Sequence, residues 1–521
     1  MIFRSPLPDV DIPSTALTGF VLARAQELGD KPALIDGPSG RTITYAELDR
    51  AIRSLAGGLI AAGFGPGHVL AIMAPNVPEY AVVFHAAAVA GGVVTTINPT
   101  YTEREVHHQL DDAGAELLVT VPMFLETAQA AVVGTSVRSI YVLGTVPDGT
   151  GDAVRPLTEL FGAPAEQVPV DPDDLVVLPY SSGTTGLSKG VMLSHRNLVS
   201  NILQTLTPAQ VSEHDMIIAV LPFFHIYGMQ VLMNCGLRAG ATIITMPRFD
   251  LEQFLSLHAE HSITRSFVAP PIVVALAKHP LVDSYDLSAL RQVLSGAAPL
   301  SAELAEEAGK RLNCEVVQGY GMTELSPVSH LTPVGRFKPG SVGLTAPNTE
   351  LRIVDPSSGA DLGVDEDGEM WIRGPQVMRG YLNNPTATAQ TLDDDGWLHT
   401  GDIGHVDDEG HVYVVDRLKE LIKYKGFQVP PAELEALLLT HPAVADVAVV
   451  GLPDDEAGEI PAAYVVLRPG AVASAEEIQA YVAERVASYK QIRLLTFIDA
   501  VPKSASGKIL RRVLRDSAPA D

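Results

Sequence analysis

The run Ser181-Ser182-Gly183-Thr184-Thr185-Gly186-Leu187-Ser188-Lys189-Gly190 gathers hydroxyls, glycines and one lysine, and contains no acid. Glycines let backbone N–H groups approach an anion, hydroxyls donate hydrogen bonds, and the lysine adds a point charge. That chemistry suits a polyphosphate; for Gly183-Thr184-Thr185-Gly186 alone, a hydrophilic hairpin turn is an equal reading. The run is not a Walker A loop, because Gly190 rather than Ser or Thr follows Lys189 and the glycine spacing differs. A second string, Gln318-Gly319-Tyr320-Gly321-Met322-Thr323-Glu324, offers exposed backbone, an aromatic stacking face and a hard oxygen donor suited to Mg²⁺ beside phosphates. A strand-to-helix turn with a solvated glutamate is the bland alternative. A third, Gly396-Trp397-Leu398-His399-Thr400-Gly401-Asp402, places a carboxylate on a glycine-supported turn, able to accept from two ribose hydroxyls. Two charged segments, 416–426 and 502–509, read on their own as solvated surface.

The elements that position these strings alternate strand and helix. Strands are expected at 42–45, 69–73, 92–97, 116–121, 216–221, 241–246, 266–269 and 292–295. Helices are expected near 46–59, 80–90, 103–113, 229–237, 249–261 and 272–279. The alternation predicts α/β architecture with a parallel sheet. The chain has 521 residues, too many for one core. The expected division is a large N-terminal domain over 1–416 and a small α+β C-terminal domain over 417–521. The large domain comprises two αβ subdomains, about 1–170 and 171–330, and a β-rich subdomain over 331–416. A formal charge of −26 disfavours nonspecific nucleic-acid and anionic-membrane binding, so an anionic substrate needs a local cationic site. Two cysteines, Cys235 and Cys314, without a Cys-x-x-Cys pair give neither a disulfide framework nor a zinc site. The N-terminus lacks a signal-peptide apolar core, and the apolar run 80–94 is too short to span a bilayer. A cytoplasmic enzyme, monomeric or homodimeric, is expected.

The strings, in this order from Ser181 to Lys508, resemble the motifs of the adenylate-forming superfamily: acyl-CoA synthetases, luciferases and peptide-synthetase adenylation domains. The segment 415–435 strongly resembles 4-coumarate–CoA ligase-like members and also beetle luciferases, so it does not fix the acid. The resemblance implies ATP, Mg²⁺ and coenzyme A as partners of a small carboxylic acid. It implies ATP or AMP contacts from Ser181, Ser182, Gly183, Thr184, Thr185, Gly186, Lys189, Ala297, Gln318, Gly319, Tyr320, Gly321, Thr323, Asp402, Val414 and Arg417. Glu324 and Thr184 are implied as metal residues, and Lys419 as the hinge. Lys508 would enter the site for adenylate formation. Lys423 would replace it for thioester formation, with Gln428 in support and Lys425 and Gly426 against coenzyme A.

Pro222-Phe223-Phe224-His225-Ile226-Tyr227-Gly228 bears on the acid. A lone histidine in an apolar run is more often core; the resemblance makes His225 a site residue that orients the carboxylate. No acid stands in this segment to hold an amino group, which disfavours an amino-acid substrate. Tyr227, Val231, Gly296, Gly319, Gly321, Pro327 and Val328 would line the acid pocket. Its flat walls suit cinnamate or 4-coumarate. Val231, where plant enzymes often carry a small hydroxyl residue, makes it more apolar, and a medium-chain fatty acid also fits. A luciferase-like oxygenase, a carrier-protein ligase and a non-catalytic ATP-binding module stay open as alternatives.

Overall fold

The structure is a computed structural model describing residues 1–181, 188–425, 427–454, 456–504 and 507–517. Among these residues the strands form three sheets. In the first, Leu175–Ser181, Val93–Thr96, Val69–Met73, Ala115–Thr120, Ser139–Val142 and Val154–Pro156 run parallel side by side. In the second, Glu315–Gly321, Gln292–Ser295, Arg265–Val268, Met216–Ala219, Thr242–Thr245 and Pro32–Asp36 are likewise parallel. The helices between them start where the sequence supplies a cap. Thr44 and Glu47 close a capping box on Tyr45–Ala61, Thr102 and Glu105 do so on Glu103–Asp112, and Pro78 opens Pro78–Val89. A large core of Leu, Ile, Val, Phe and Ala fills the space between the two sheets and their helices, and a second cluster around Met73, Val106, Leu110, Leu118 and Leu125 packs further helices on the first sheet.

The expected α/β fold is present, but the sheets do not respect the divisions at 170 and 330. Pro32–Asp36 and Thr42–Thr44 belong to the second sheet, while Leu175–Ser181 belongs to the first. The β-rich segment is no separate layer either. Val328–Leu331 pairs antiparallel with Glu315–Gly321, and the second sheet continues through Gly343–Thr345, His411–Arg417, Leu398–Val406, Gly368–Arg373 and Glu350–Val354 to Phe3–Arg4. Parallel neighbours are chosen by crossover packing, not by proximity in sequence, so a linear partition misses them. The helix expected over 229–237 begins instead as a widened π-helix, Tyr227–Asn234, in which the Cys235 N–H reaches back five residues to the Gln230 carbonyl.

The third sheet lies wholly beyond residue 420. Ile422–Tyr424, Phe427–Val429, Val444–Asp454, Gly458–Leu467 and Leu494–Phe497 form it, and Pro431–Leu439 and Ala475–Ala483 pack on it around Ile422, Leu434, Leu438, Val447 and Ile478. Among the described residues, no helix is long and apolar enough to cross a membrane.

Gly58 marks a tight contact in the large domain: a Cβ there would lie 1.3 Å from the Leu160 carbonyl oxygen. Backbone cannot yield as a side chain can, so Gly58→Ala should lose about 1–3 kcal/mol in urea denaturation. Gly19 has nothing within 4 Å of such a Cβ. Gly19→Ala should stay within about 0.5 kcal/mol of the parent; equal losses would show that the contact at Gly58 is unimportant.

Candidate active site

The parallel strands Gln292–Ser295 and Glu315–Gly321 end at one edge of the second sheet, where ligands of open α/β sheets bind. Gly296 and Ala297 follow the first; Gln318, Gly319, Tyr320 and Gly321 lie on the second. Ala297 adopts a left-handed φ of 73°. A Cβ on Gly296 would lie 2.9 Å from Cε1 of Tyr227, so glycine lets the phenol ring approach the strand end closely. The Tyr227 hydroxyl donates to the Leu294 carbonyl at 3.3 Å. Val231 is buried one turn on. Gly321 likewise leaves no room for a side chain, since a Cβ would stand 2.0 Å from the Pro327 carbonyl oxygen. Gln318 is committed to structure: its Oε1 accepts the Leu300 N–H at 3.2 Å.

Tyr320 points at the neighbouring antiparallel strands. Its hydroxyl donates to Oδ2 of Asp402 at 2.5 Å, and Oδ1 of Asp402 stands 3.4 Å from Nε of Arg417. Thr400 Oγ1 accepts the Asp402 N–H at 3.0 Å, which fixes the carboxylate's backbone. Burial raises the Asp402 pKa, against the pull of Arg417, the Tyr320 hydroxyl and Lys508. Burial and Asp402 together keep the Tyr320 phenol a proton donor. Val414 sits on the strand beside Gly404, partly buried against the core.

Lys508 reaches this cluster from the C-terminal end of the chain. Its N–H donates to Ser504 Oγ at 3.1 Å, and Lys503 bridges Ile509, so the segment is a tight turn. A Cβ on Gly507 would lie 3.2 Å from that of Ala269, placing the turn against the large domain. Burial, then Arg417, lowers the Lys508 ammonium pKa, while Glu324, Asp402 and Glu420 oppose the shift. His225, half-buried, is pushed down to about 3 by desolvation and then by Lys508, so its ring is neutral at neutral pH. The Tyr227 N–H donates to its Nδ1 at 3.2 Å, leaving Nε2 as the far end of the ring.

Glu324 is buried beside Ser181 and Tyr381. Its Oε1 accepts from Ser181 Oγ at 3.1 Å and from the Tyr381 hydroxyl at 2.8 Å. Thr323 is buried beside it. Among the described residues, no cluster of three or more His, Cys, Asp or Glu could bind a metal unaided. A single buried carboxylate that shares an ion with phosphate oxygens fits the way Mg²⁺ is held beside nucleotides. Lys189 pairs with Ser181 across the hairpin, and its Nζ lies 4.0 Å from the Tyr381 ring centroid. The calls on Ser182, Gly183, Thr184, Thr185, Gly186 and Gly426 lie outside the described residues.

Lys423, Lys425 and Gln428 are not brought to the cluster. They are exposed on the hairpin of Ile422–Tyr424 and Phe427–Val429. Lys419 is exposed in the turn at 418–420 that precedes the hairpin. Across this joint, Asp416 accepts the Ala432 N–H at 2.8 Å, capping the first helix of the small domain. Glu420 accepts from Arg511 Nε at 2.7 Å, and the Arg511 guanidinium also contacts Glu435. Two residues escaped the sequence reading. Tyr381, in Gly380-Tyr381-Leu382, carries no signal of its own. Asn201, whose amide grips both the N–H and the carbonyl of Val328, could have been suspected as a polar residue on an apolar helix face.

Two family models cover most of the chain: the AMP-binding enzyme model matches residues 21–382, and its C-terminal domain model matches 433–508. A curated 4-coumarate–CoA ligase 3 of Oryza sativa subsp. japonica is 46% identical, over 99% of this chain and 94% of its own. An anthranilate CoA ligase, AuaEII, solved with anthranoyl-AMP, superposes with a TM-score of 0.91 at 25% identity, over 98% of each chain. ATP-bound MatB from Rhodopseudomonas palustris superposes at 0.87 with 31% identity, over 96% of this chain and 98% of that one.

The buried Asp416 gives the hinge a pH dependence. Desolvation raises its pKa to about 6, although Ala432, Arg511 and the Arg417 N–H favour the charged form. Below about pH 4 folded and unfolded chains both hold the proton; between about 4 and 6 only the folded chain does. The stability this proton contributes is therefore full below about 4 and lost as pH rises through 6. Asp416→Asn should gain stability over the parent, by up to about 3 kcal/mol, between pH 4 and 7 in paired urea titrations. A difference independent of pH would overturn the assignment.

Proposed function

The chain belongs to the AMP-binding enzyme family, and from that premise we propose that it is an ATP-dependent acid–CoA ligase acting on a phenylpropenoic acid, cinnamate or 4-coumarate. The observation that carries the ligase reading is the buried Tyr320–Asp402–Arg417 contact, with the turn that bears Lys508 packed through Gly507 against Ala269 of the large domain. The acid carboxylate attacks the α-phosphorus of ATP; the new O–P bond makes the acyl-adenylate as the bond to pyrophosphate breaks. No base is needed, because the carboxylate is already ionised. Charge builds on the α-phosphate oxygens, and Lys508 is the cation placed to meet it. Asp402 and Arg417 hold the ribose, and Tyr320 presents its ring to the adenine. Glu324, with Thr184, would hold Mg²⁺, which neutralises phosphate charge when bound. The glycine-rich run with Lys189 covers the phosphates that depart.

In the second step the thiol sulfur of coenzyme A attacks the acyl carbon and AMP leaves with the C–O bond's electrons. Lys508 must withdraw, and rotation about Lys419 would bring Lys423, Lys425, Gly426 and Gln428 to the site. Their exposure on one hairpin, away from the nucleotide cluster, supports a division of labour between two domain orientations. The present arrangement, with Lys508 inward, corresponds to the adenylating orientation.

The aromatic acid is supported by the close approach of the Tyr227 ring to Gly296 and by the curated relatives named as 4-coumarate–CoA ligases. The hydroxyl of Tyr227, which donates to the Leu294 carbonyl, keeps lone pairs that could accept from a ring hydroxyl of the acid. Shape rather than charge discriminates here, because Val231 adds only apolar surface.

Two measurements test the reading. Lys508→Ala should lower ATP–pyrophosphate exchange by about 10²–10³-fold while sparing thioester formation from supplied acyl-adenylate, and Lys423→Ala should do the reverse. Loss of the same half-reaction in both variants would exclude domain exchange. In a pyrophosphate-release screen over cinnamate, 4-coumarate, caffeate and octanoate, kcat/KM should be highest for the first two. Preference for octanoate would exclude the aromatic assignment.

A further inference from the structure

We propose that Tyr381 is a positioning residue of the adenylating step, tying the phosphate-run lysine Lys189 to the Glu324 carboxylate through a single phenol. The inference deepens the proposed function and rests on its reading of Glu324 as the metal carboxylate. Tyr381 is 5% exposed and has a different charge on each side of its side chain. The face of its ring carries the Lys189 ammonium at 4.0 Å, a cation–π contact in a largely desolvated place. Its hydroxyl donates to Oε1 of Glu324 at 2.8 Å. Ser181 Oγ converges on the same oxygen at 3.1 Å, so the carboxylate cannot rotate without breaking two hydrogen bonds.

The backbone around Tyr381 is fixed to both partners. The Leu382 N–H donates to the Gly190 carbonyl at 2.8 Å, one residue from Lys189, and the Met192 N–H donates to Gly380 at 2.9 Å. On the other side, the Met378 N–H donates to the Glu324 carbonyl at 2.9 Å. Thr388 Oγ1 accepts the Tyr381 N–H at 2.9 Å. The segment thus laces the exit of the glycine-rich run to the turn that carries Glu324. A shift of either group is transmitted to the other through a rigid ring with two rotatable bonds. Burial, reinforced by Glu324, raises the phenol pKa and keeps the hydroxyl a donor across the working pH range.

Tyr381→Phe removes the hydroxyl and keeps the ring; Tyr381→Leu removes both. ATP–pyrophosphate exchange is measured against Mg²⁺ concentration, thioester formation from supplied acyl-adenylate, and ATP binding by calorimetry with Mn²⁺ and without metal. Tyr381→Phe should need about 10-fold more Mg²⁺ for half-maximal exchange and bind Mn²⁺–ATP correspondingly more weakly, with metal-free ATP binding unchanged. Tyr381→Leu should also weaken metal-free ATP binding, because Lys189 loses its seat. Thioester formation should stay within about twofold of the parent in both variants. An unchanged Mg²⁺ requirement in Tyr381→Phe, or parallel loss of both half-reactions, would overturn the proposal. Glu324→Gln separates the two layers. If it leaves the Mg²⁺ requirement unchanged, the reading of Glu324 fails and Tyr381 with it. If it raises that requirement and Tyr381→Phe does not, only the role of Tyr381 fails.

Discussion

The contact on which the rest of the site depends is the one between Tyr320, Asp402 and Arg417. A buried carboxylate costs several kcal/mol unless it is partnered. Asp402 is partnered twice, by a phenol from the strand Glu315–Gly321 and by a guanidinium from the end of His411–Arg417. These groups come from three strands, and only the last two are neighbours in sequence. Satisfying Asp402 therefore holds the antiparallel extension in register with the parallel half of the sheet. It also sets where the chain leaves the large domain, because Arg417 is the last strand residue before the hinge turn. The proposed sugar seat and the proposed start of domain rotation thus share one interaction.

The joint that follows is spanned by polar contacts. Asp416 caps a helix of the small domain from the large one, whereas Glu420, at the end of the turn, is held by Arg511 within the small domain. Polar contacts of this kind can be broken and rehydrated singly, whereas an apolar interface would expose its whole area at once. The small domain keeps its own core around Ile422, Leu434 and Val447, so it can move as a body. What it carries inward is a single lysine on a tight turn, with Gly507 allowing close approach to Ala269. On the proposed reading a movable cation is useful because the pentavalent charge build-up at the α-phosphorus belongs to the adenylating step alone, while the second step needs room for the thiol at the acyl carbon.

The alternation of strands and helices was legible in the sequence because each element satisfies its own period, and caps such as Thr44 and Thr102 mark the starts. The family's motifs were legible because backbone conformation dictates them: Gly296 and Gly321 stand where any Cβ would collide with Tyr227 or the Pro327 carbonyl. Sheet membership was not legible. Pro32–Asp36 crosses to a strand some two hundred residues on, and nothing local announces it. The widening of Tyr227–Asn234 also escaped, because the same residues suit an α-helix and the insertion is fixed by tertiary packing. Gly228 there would place a Cβ 2.1 Å from the Pro222 carbonyl, a contact visible only in three dimensions. Tyr381 was invisible for a different reason. Its partners, Lys189 and Glu324, were both recognised, but their coupling belongs to a third residue far along the chain.

If Tyr227, Gly296 and Val328 line the acid slot as proposed, selectivity for the acid follows from stiffness more than from polar recognition. A hydrophobic slot discriminates by roughly 1–3 kcal/mol per methylene, and only if its walls do not yield. Here the walls are backbone. Val328 is clamped by the Asn201 amide at 2.7 and 3.2 Å, and Ser326 Oγ donates to the Gln376 carbonyl at 2.7 Å. Gln204 and Thr349 extend this network beneath the wall. Opposite, the Tyr227 ring lies on Gly296, and its hydroxyl is tied to the Leu294 carbonyl. Each wall is a strand end, or a turn bound to one, so widening the slot would cost ladder or buried side-chain hydrogen bonds. A planar ring enters such a slot without deforming it, while a flexible chain must freeze several torsions to do the same, at about 0.5–1.5 kcal/mol for each group ordered. On the proposed reading, the preference for a flat acid is thus built into polar contacts that never touch the substrate.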